Sequence, residues 1–210
     1  MNNKITTLPD CVIKYSNTYT TLLLQGNQPL EKVPERFLLG FQALEVLNMS
    51  GTSIKSLPLS PTQLGELRAL VLRQCSIKEL TPLEGLKKLQ VLNLSGTPIK
   101  ELPEVMKELS NLRQLDLSFT SYLVSIPAGI VSRWSGLEVL DIRQSAFQWG
   151  VKGEVGKGRA TVEELGCLKQ LIAVHISLGR MPYLDIEDLI WIERLRNFKI
   201  SVGQKLDSLA

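Results

Sequence analysis

The sequence has few of the residues on which most catalytic and metal sites depend. Its 210 residues include one histidine, His175, and three cysteines, Cys11, Cys75 and Cys167. A zinc site needs several His, Cys or acidic ligands, and a Ser–His–Asp triad needs a histidine with two partners, so this inventory argues against both. An odd number of scattered cysteines also argues against a disulfide framework and favours a reducing compartment.

Aromatic residues, long apolar runs and charge of one sign are also scarce. Aromatics make up 6% of the chain, and no window holds 18 uninterrupted apolar residues, so we expect no transmembrane segment. The net charge of +3 is too small to indicate nucleic acid as the main partner. Because residues 1–5 are polar and show no secretory signal, we expect a cytoplasmic protein.

Leucine is the residue in excess, with 38 copies in the chain, and its spacing repeats. Residues 44–54 (LEVLNMSGTSI) return at 67–77, at 89–99 and, with one extra residue, at 112–123. This is the pattern L-x-x-L-x-L-x-x-[N/C/T]-x-L of leucine-rich repeats. With weaker copies included, about eight repeats start near residues 19, 44, 67, 89, 112, 137, 171 and 195.

The pattern predicts an α/β leucine-rich-repeat solenoid. Each L-x-L alternation has period two, which predicts a short strand with its leucines inward. Stacked repeats would form a curved parallel β-sheet on the concave face, with short helices and turns on the convex face. The strands should centre on residues 22–24, 47–49, 70–72, 92–94, 115–117, 140–142, 174–176 and 198–200. A small residue should end each strand by satisfying backbone groups; these residues are Asn27, Thr52, Cys75, Thr97 and Thr120.

The whole chain, residues 1–210, is interpreted as a single leucine-rich-repeat domain truncated at both ends. Residues 148–164 form a glycine-rich insertion that lengthens one repeat, and we expect a flexible surface loop there. A Walker A loop aligned on Gly156-Lys157 fails because Val151 and Gly158 stand at two required positions. We therefore expect no cofactor. Cys11 and Cys167 fall in return segments and are interpreted as small core residues.

The outward strand positions supply the candidate protein-binding residues. Arginines and apolar strips are enriched at docking surfaces, and both occur in these columns. The alternative is a solvated sheet in which Arg143 pairs with Asp141 or Asp116. His175 has no evident nucleophile to activate, so it is predicted to be a polar contact residue rather than a general base. The candidate residues are Val46, Asn48, Val71, Arg73, Val91, Asn93, Asp116, Asp141, Arg143 and His175.

Several stretches of the sequence resemble a known family. Residues 89–103 (LQVLNLSGTPIKELP) resemble repeats of plant intracellular disease-resistance proteins of the nucleotide-binding, leucine-rich-repeat type. Residues 137–142 (LEVLDI), followed by a long Trp-Gly loop and residues 163–171 (EELGCLKQL), resemble the coiled-coil subclass. Residues 1–5 and 198–203 resemble this family as well. The chain itself contains neither a coiled-coil segment nor a nucleotide-binding domain.

The resemblance implies a non-enzymatic recognition module of a plant immune receptor. Such a module senses pathogen effectors or guarded host proteins and restrains its own nucleotide-binding domain. The alternative is a generic intracellular scaffold for protein–protein interaction, and the two differ in whether a nucleotide-binding domain is encoded upstream. The oligomeric state is left open by the sequence.

Overall fold

The fold is built around one parallel β-sheet. The computed structural model describes residues 4–12, 18–57, 64–80, 83, 85–150, 158–178 and 186–202. Eight strands pair in sequence order, each parallel to the one before it. They are β1 (Thr21–Leu23), β2 (Val46–Asn48), β3 (Ala69–Val71), β4 (Val91–Asn93), β5 (Gln114–Asp116), β6 (Val139–Asp141), β7 (Ala173–Leu178) and β8 (Asn197–Val202). The predicted solenoid is confirmed.

The strands begin one residue earlier than the leucine spacing predicts. Strand β2, for example, covers Val46–Asn48 rather than residues 47–49. The hydrogen bonds between neighbouring repeats nevertheless continue past the strand, since Met49 N donates to Val71 O at 2.9 Å and Gly51 N donates to Arg73 O at 2.8 Å. The predicted segments therefore lie on the same backbone ladder, which is longer than the regular strand.

Among the described residues, five of the seven return segments between strands contain a short helical turn, which the sequence pattern predicts on the convex face. One is a single turn of α-helix, α1 (Glu35–Leu38). The others are 3₁₀ turns, at Glu104–Glu108, Val131–Arg133, Val162–Cys167 and Ile186–Arg194. A repeat of about 23 residues leaves room for only one such turn between strands, which is why these turns are short in the described residues.

The leucines at equivalent positions stack on one another to form the core. In-register pairing aligns Leu47, Leu70, Leu92, Leu115 and Leu140, and each is at most 2% exposed. The terminal strands differ because a repeat covers them on one side only. At the equivalent inward positions, Leu22 in β1 is half-buried and Phe198 in β8 is 55% exposed.

The small residues that end the strands satisfy backbone carbonyls, as predicted. Thr52 Oγ1 donates to Met49 O at 2.8 Å, and Thr97 and Thr120 make the same contact three residues back at 2.6 Å. Asn27 donates to Leu24 O at 2.8 Å. Cys75 departs from this geometry because its thiol reaches the carbonyl of Met49 in the preceding repeat, at 3.0 Å.

The insertion is part of the scaffold at both of its ends. Gly150 N donates to Ala160 O at 2.9 Å, and Ala160 N donates to Ile126 O at 2.7 Å. Ala160 and Val162 are buried. The carboxylate of Glu164 accepts from the backbone of Gly129 at 2.9 Å, which ties the insertion to the preceding repeat. Of the predicted loop 148–164, residues 151–157 lie outside the described residues.

The interpretation of two cysteines as core residues is wrong. Cys11 and Cys167 are exposed, whereas Cys75 is buried. Cys167 ends a 3₁₀ turn whose apolar side is already supplied by Leu165 and Leu168, so the thiol faces solvent. Cys11 precedes β1, where no earlier repeat is described that could cover it.

Replacement of an inward leucine should destabilise the protein far more than replacement of an outward one. We expect Leu92→Ala to lower the free energy of unfolding by about 2–5 kcal/mol, because a fully buried side chain leaves a cavity. Leu23→Ala is the matched control and should change it by less than about 0.5 kcal/mol. Urea titration measures both, and equal losses would contradict the assigned inward direction.

The three cysteine thiols should differ in how fast they react with a thiol reagent. Burial raises the pKa of the Cys75 thiol, although hydrogen bonding with Thr52 partly opposes this. Since the thiolate is the reactive form, an aromatic disulfide reagent near pH 8 should label Cys11 and Cys167 quickly in the native protein. Cys75 should react only after denaturation. Three equally fast thiols would mean that the repeat around Cys75 is open.

Candidate protein-binding face

Three columns of outward residues run across the sheet, one residue per strand. The first column lies at the start of the strands and contains Val46, Ala69, Val91, Gln114, Val139 and Ala173. The second lies at the strand ends and contains Asn48, Val71, Asn93, Asp116, Asp141 and His175. The third, two residues further, contains Ser50, Arg73, Ser95, Ser118, Arg143 and Ser177. All ten candidate residues therefore lie on one face.

The apolar candidates form a half-buried strip. Val46, Val71 and Val91 are each intermediate in exposure and lie on the consecutive strands β2, β3 and β4. Gln114 then interrupts the first column on β5. The strip is therefore concentrated on the N-terminal half of the sheet.

The polar candidates of the second column have a structural role that the sequence analysis did not assign. Asn48, Asn93, Asp116 and Asp141 each accept a hydrogen bond from the backbone N–H two residues later, at 2.9–3.1 Å. Such side-chain-to-backbone bonds take up donors that the ladder leaves free as the strand ends. These residues turn the chain, so their oxygen atoms are only partly available to a partner.

Asp141 is the centre of a charged cluster near the C-terminal end of the face. It is 8% exposed, and its carboxylate lies 3.1 Å from Arg143 Nε and 3.2 Å from His175 Nδ1. Of the two acidic partners expected for Arg143, Asp141 is the one that pairs with it. The other ring nitrogen of His175 lies 3.4 Å from the side-chain oxygen of Asn197. An Asp–His pair directed at an amide lacks the nucleophile that a triad requires.

Arg73 differs from Arg143 in having no acidic partner. Its side chain is exposed and forms no ion pair with any other residue that the structure describes. It borders a depression of about 340 Å³ that lies between the two arginines. The depression is lined by Arg73, Gln74, Asn93, Ser95, Gly96, Asp116, Ser118, Phe119 and Arg143.

Phe119, at the rim of this depression, is a feature that the sequence analysis missed. Its φ is 61°, in the left-handed region, and it is 53% exposed. The same position in neighbouring repeats is Gly51, Gln74, Gly96 or Gln144, all with positive φ. A β-carbon disfavours this conformation by roughly 1–2 kcal/mol, so a bulky aromatic is unusual here.

The rest of the same loop is also apolar and exposed. Tyr122 is 61% exposed and Val124 is 62% exposed. Tyr122 corresponds to the one extra residue of this repeat, so the sequence did contain a signal: a longer copy with phenylalanine in place of glycine. We define Phe119, Tyr122 and Val124 as the apolar rim.

The structure offers little for other chemistries. Among the described residues, no group of three or more His, Cys, Asp or Glu side chains is arranged to hold a metal ion. In the same part of the chain, no helix has the length and apolarity needed to cross a membrane.

The parallel sheet, the leucine core and the strand-ending threonines define a leucine-rich-repeat solenoid. Residues 24–209 match the family model described as leucine-rich repeat region, and the chain belongs to this family.

Two plant proteins are similar to nearly the whole chain. A disease resistance protein of Arabidopsis thaliana is 47% identical over 207 residues, which cover 98% of this chain and 21% of that protein. A probable disease resistance protein of the same plant is 46% identical over 200 residues, which cover 95% of this chain and 22% of that protein. The chain thus spans about one-fifth of the length of these curated relatives.

Solved structures share the fold at low sequence identity. An internalin from Listeria monocytogenes superposes with a TM-score of 0.72 at 21% identity, over 91% of this chain and 50% of the internalin. A plant peptide hormone receptor, solved in complex with RGF2, superposes with a TM-score of 0.65 at 19% identity, over 88% of this chain and 32% of the receptor. At these identities the likeness concerns the fold alone.

Substitutions at the left-handed position should change the free energy of unfolding in opposite directions in two neighbouring repeats. Phe119→Gly relieves backbone strain of roughly 1–2 kcal/mol, while the added freedom of the unfolded chain costs about 0.4–1 kcal/mol. We expect the free energy of unfolding to stay unchanged or to rise by up to about 1.6 kcal/mol. Gly96→Ala should lower it by about 1–2 kcal/mol, since φ is 68° and the new β-carbon would lie 3.2 Å from Gln74 Cγ.

Denaturant titration of both variants checks this expectation. A loss of more than about 2 kcal/mol for Phe119→Gly would show that the aromatic ring is packed rather than exposed.

Proposed function

We propose that the chain is the protein-recognition module of a plant intracellular immune receptor of the nucleotide-binding, leucine-rich-repeat type. In this role it senses a pathogen effector or a guarded host protein in the cytoplasm. It also restrains the nucleotide-binding domain of the same receptor. The near-complete match of the chain to plant disease resistance proteins supports the class of receptor. Assignment to the coiled-coil subclass stays a prediction from the sequence.

The observation that carries the recognition role is the open concave face. Its half-buried valines lie on adjacent strands beside Arg73, which forms no ion pair with any described residue. A partner that covers these residues removes apolar surface from water and pairs the cation. Docking surfaces place their binding energy in a few such residues. We assign the contact to Val46, Val71, Arg73 and Val91. The Asn and Asp residues of the second column act mainly by shaping the face.

A non-enzymatic role fits the chemistry of the site. The cluster of Asp141, Arg143 and His175 is an internally paired charge network, and His175 faces an amide on its other side. General acid–base catalysis needs a proton-transfer group within reach of a reacting atom in a bound substrate. Neither Asp141 nor His175 lines the depression beside the cluster.

A generic intracellular scaffold is the second candidate, because the fold also occurs in proteins as different as internalins. The two candidates differ in the parent gene. A nucleotide-binding domain encoded upstream of this region supports the immune receptor, and its absence supports the scaffold.

Charge reversal at Arg73 tests the contact face in the full-length receptor. Arg73→Glu changes an exposed, unpaired side chain, so the free energy of unfolding should change by less than about 0.5 kcal/mol. Expressed in leaves, the variant should either lose effector-triggered cell death or cause cell death without effector. Arg143 is a poorer probe, because a carboxylate there would repel the nearly buried Asp141.

The matched control is Arg133→Glu. Arg133 is exposed in a convex 3₁₀ turn and, like Arg73, forms no ion pair with another described residue. This variant should behave like the unmodified receptor. A silent Arg73→Glu would overturn the concave contact, and an altered Arg133→Glu would move the contact to the convex side.

A further inference from the structure

In the third outward column, two short side chains stand between two arginines, and we call the space above them the gap. Arg73 follows β3 and Arg143 follows β6, while the residues between them in the column are Ser95 and Ser118. Both serines are buried, at 5% and 3% exposure, and Gly96 beside them has no side chain. Three strand spacings separate the ends of this gap, about 14 Å along the sheet. The depression of about 340 Å³ occupies this space.

The charges around the gap are unevenly satisfied. Arg143 is held by Asp141 at 3.1 Å. Both carboxylate oxygens of Asp116 accept hydrogen bonds from neutral donors, one from Asn93 at 2.9 Å and the other from Ser118. Arg73 is the cation in the lining that forms no ion pair within the described structure, although Asp116 lines the same depression. A partner that buries Arg73 without supplying an anion leaves its charge unpaired, which is costly.

An aromatic residue lies at the same gap as the charge of Arg73. Phe119 lines the depression together with both arginines, and its ring is more than half exposed. In the free protein this residue holds a strained left-handed conformation without burying its ring. Tyr122 and Val124, which are also exposed, follow Phe119 in the chain. An unpaired cation and an exposed aromatic residue of the described structure thus line one depression.

We propose that this depression binds an acidic segment of the protein partner, with one Asp or Glu carboxylate paired to Arg73 and a neighbouring apolar side chain packed against Phe119. The guanidinium donates hydrogen bonds to the carboxylate in the planar, paired geometry that arginine favours. This inference rests on the proposed recognition function and specifies the chemistry of the segment that the concave face recognises.

The experiment uses a displayed library of random dodecapeptides, selected on the full 210-residue chain. The selected peptides should share an Asp or Glu at one position, next to an apolar residue. A synthetic peptide of this kind should bind about tenfold more tightly than its Glu→Gln counterpart, as expected for loss of a charge-assisted hydrogen bond. Arg73→Gln in the protein should abolish that difference. Phe119→Gly should weaken both peptides, and Arg133→Gln should weaken neither.

Several outcomes overturn the inference. These are the absence of selected peptides, selected peptides without a shared acidic residue, equal binding of the Glu and Gln peptides, and a difference that persists in Arg73→Gln. Free glutamate is added at a concentration equal to the dissociation constant of the peptide. If it displaces the peptide at this concentration, the inference is overturned, because the site would then bind any small anion.

The failure of this inference is distinguishable from failure of the concave docking face. If the selected peptides lack an acidic residue but bind the Val71→Ser variant more weakly than the unmodified chain, the acidic specificity is overturned. The concave docking face then remains supported. If Arg133→Gln weakens peptide binding while Val71→Ser and Arg73→Gln do not, both the acidic specificity and the concave docking face are overturned.

Discussion

The structure depends on the stacking of inward leucines between neighbouring repeats. A strand of three residues cannot bury a side chain by itself, and the six strands β1 to β6 are each of this length. Leu92 is fully buried because Leu70 and Leu115 lie in register on either side of it. The same register aligns the outward residues into columns. The binding face is therefore a consequence of core packing, and its geometry is fixed as long as the leucines remain stacked.

A repeat protein faces a conflict between uniformity and recognition. Asn48, Asn93, Asp116 and Asp141 make the same turn-forming hydrogen bond in four repeats, which gives the chain the same turn at the end of each strand. A residue committed to this task offers little that distinguishes one partner from another. Specific recognition must come from departures from the repeat, and in the described structure the clearest departures are Arg73, the Asp141 cluster and the apolar rim. All of them lie within β3 to β7 or the turns that follow these strands.

The apolar rim shows how a repeat acquires such a departure at moderate cost. The position of Phe119 needs a positive φ, which neighbouring repeats supply with glycine or glutamine. The backbone hydrogen bond from Phe119 N to Arg143 O, at 3.0 Å, keeps the ladder intact at this point. The extra residue Tyr122 is accommodated without loss of the core, because Leu123 remains buried beside it. The scaffold thus absorbs both the strain and the insertion, and the exposed side chains change only the surface.

The sequence by itself determined the parallel sheet, the inward leucines, the strand-ending threonines and the face on which the candidate residues lie. These features follow from local periodicity, since a side chain's direction along a strand depends only on its position in the repeat. Tertiary structure alone decided which charges are free. Asp141 meets His175, 34 residues away, and Arg143 at once, whereas Arg73 meets no acid in the described structure. It also decided that Cys11 and Cys167 are exposed, because burial depends on which neighbouring repeat covers a residue, and the spacing of one repeat does not contain that information.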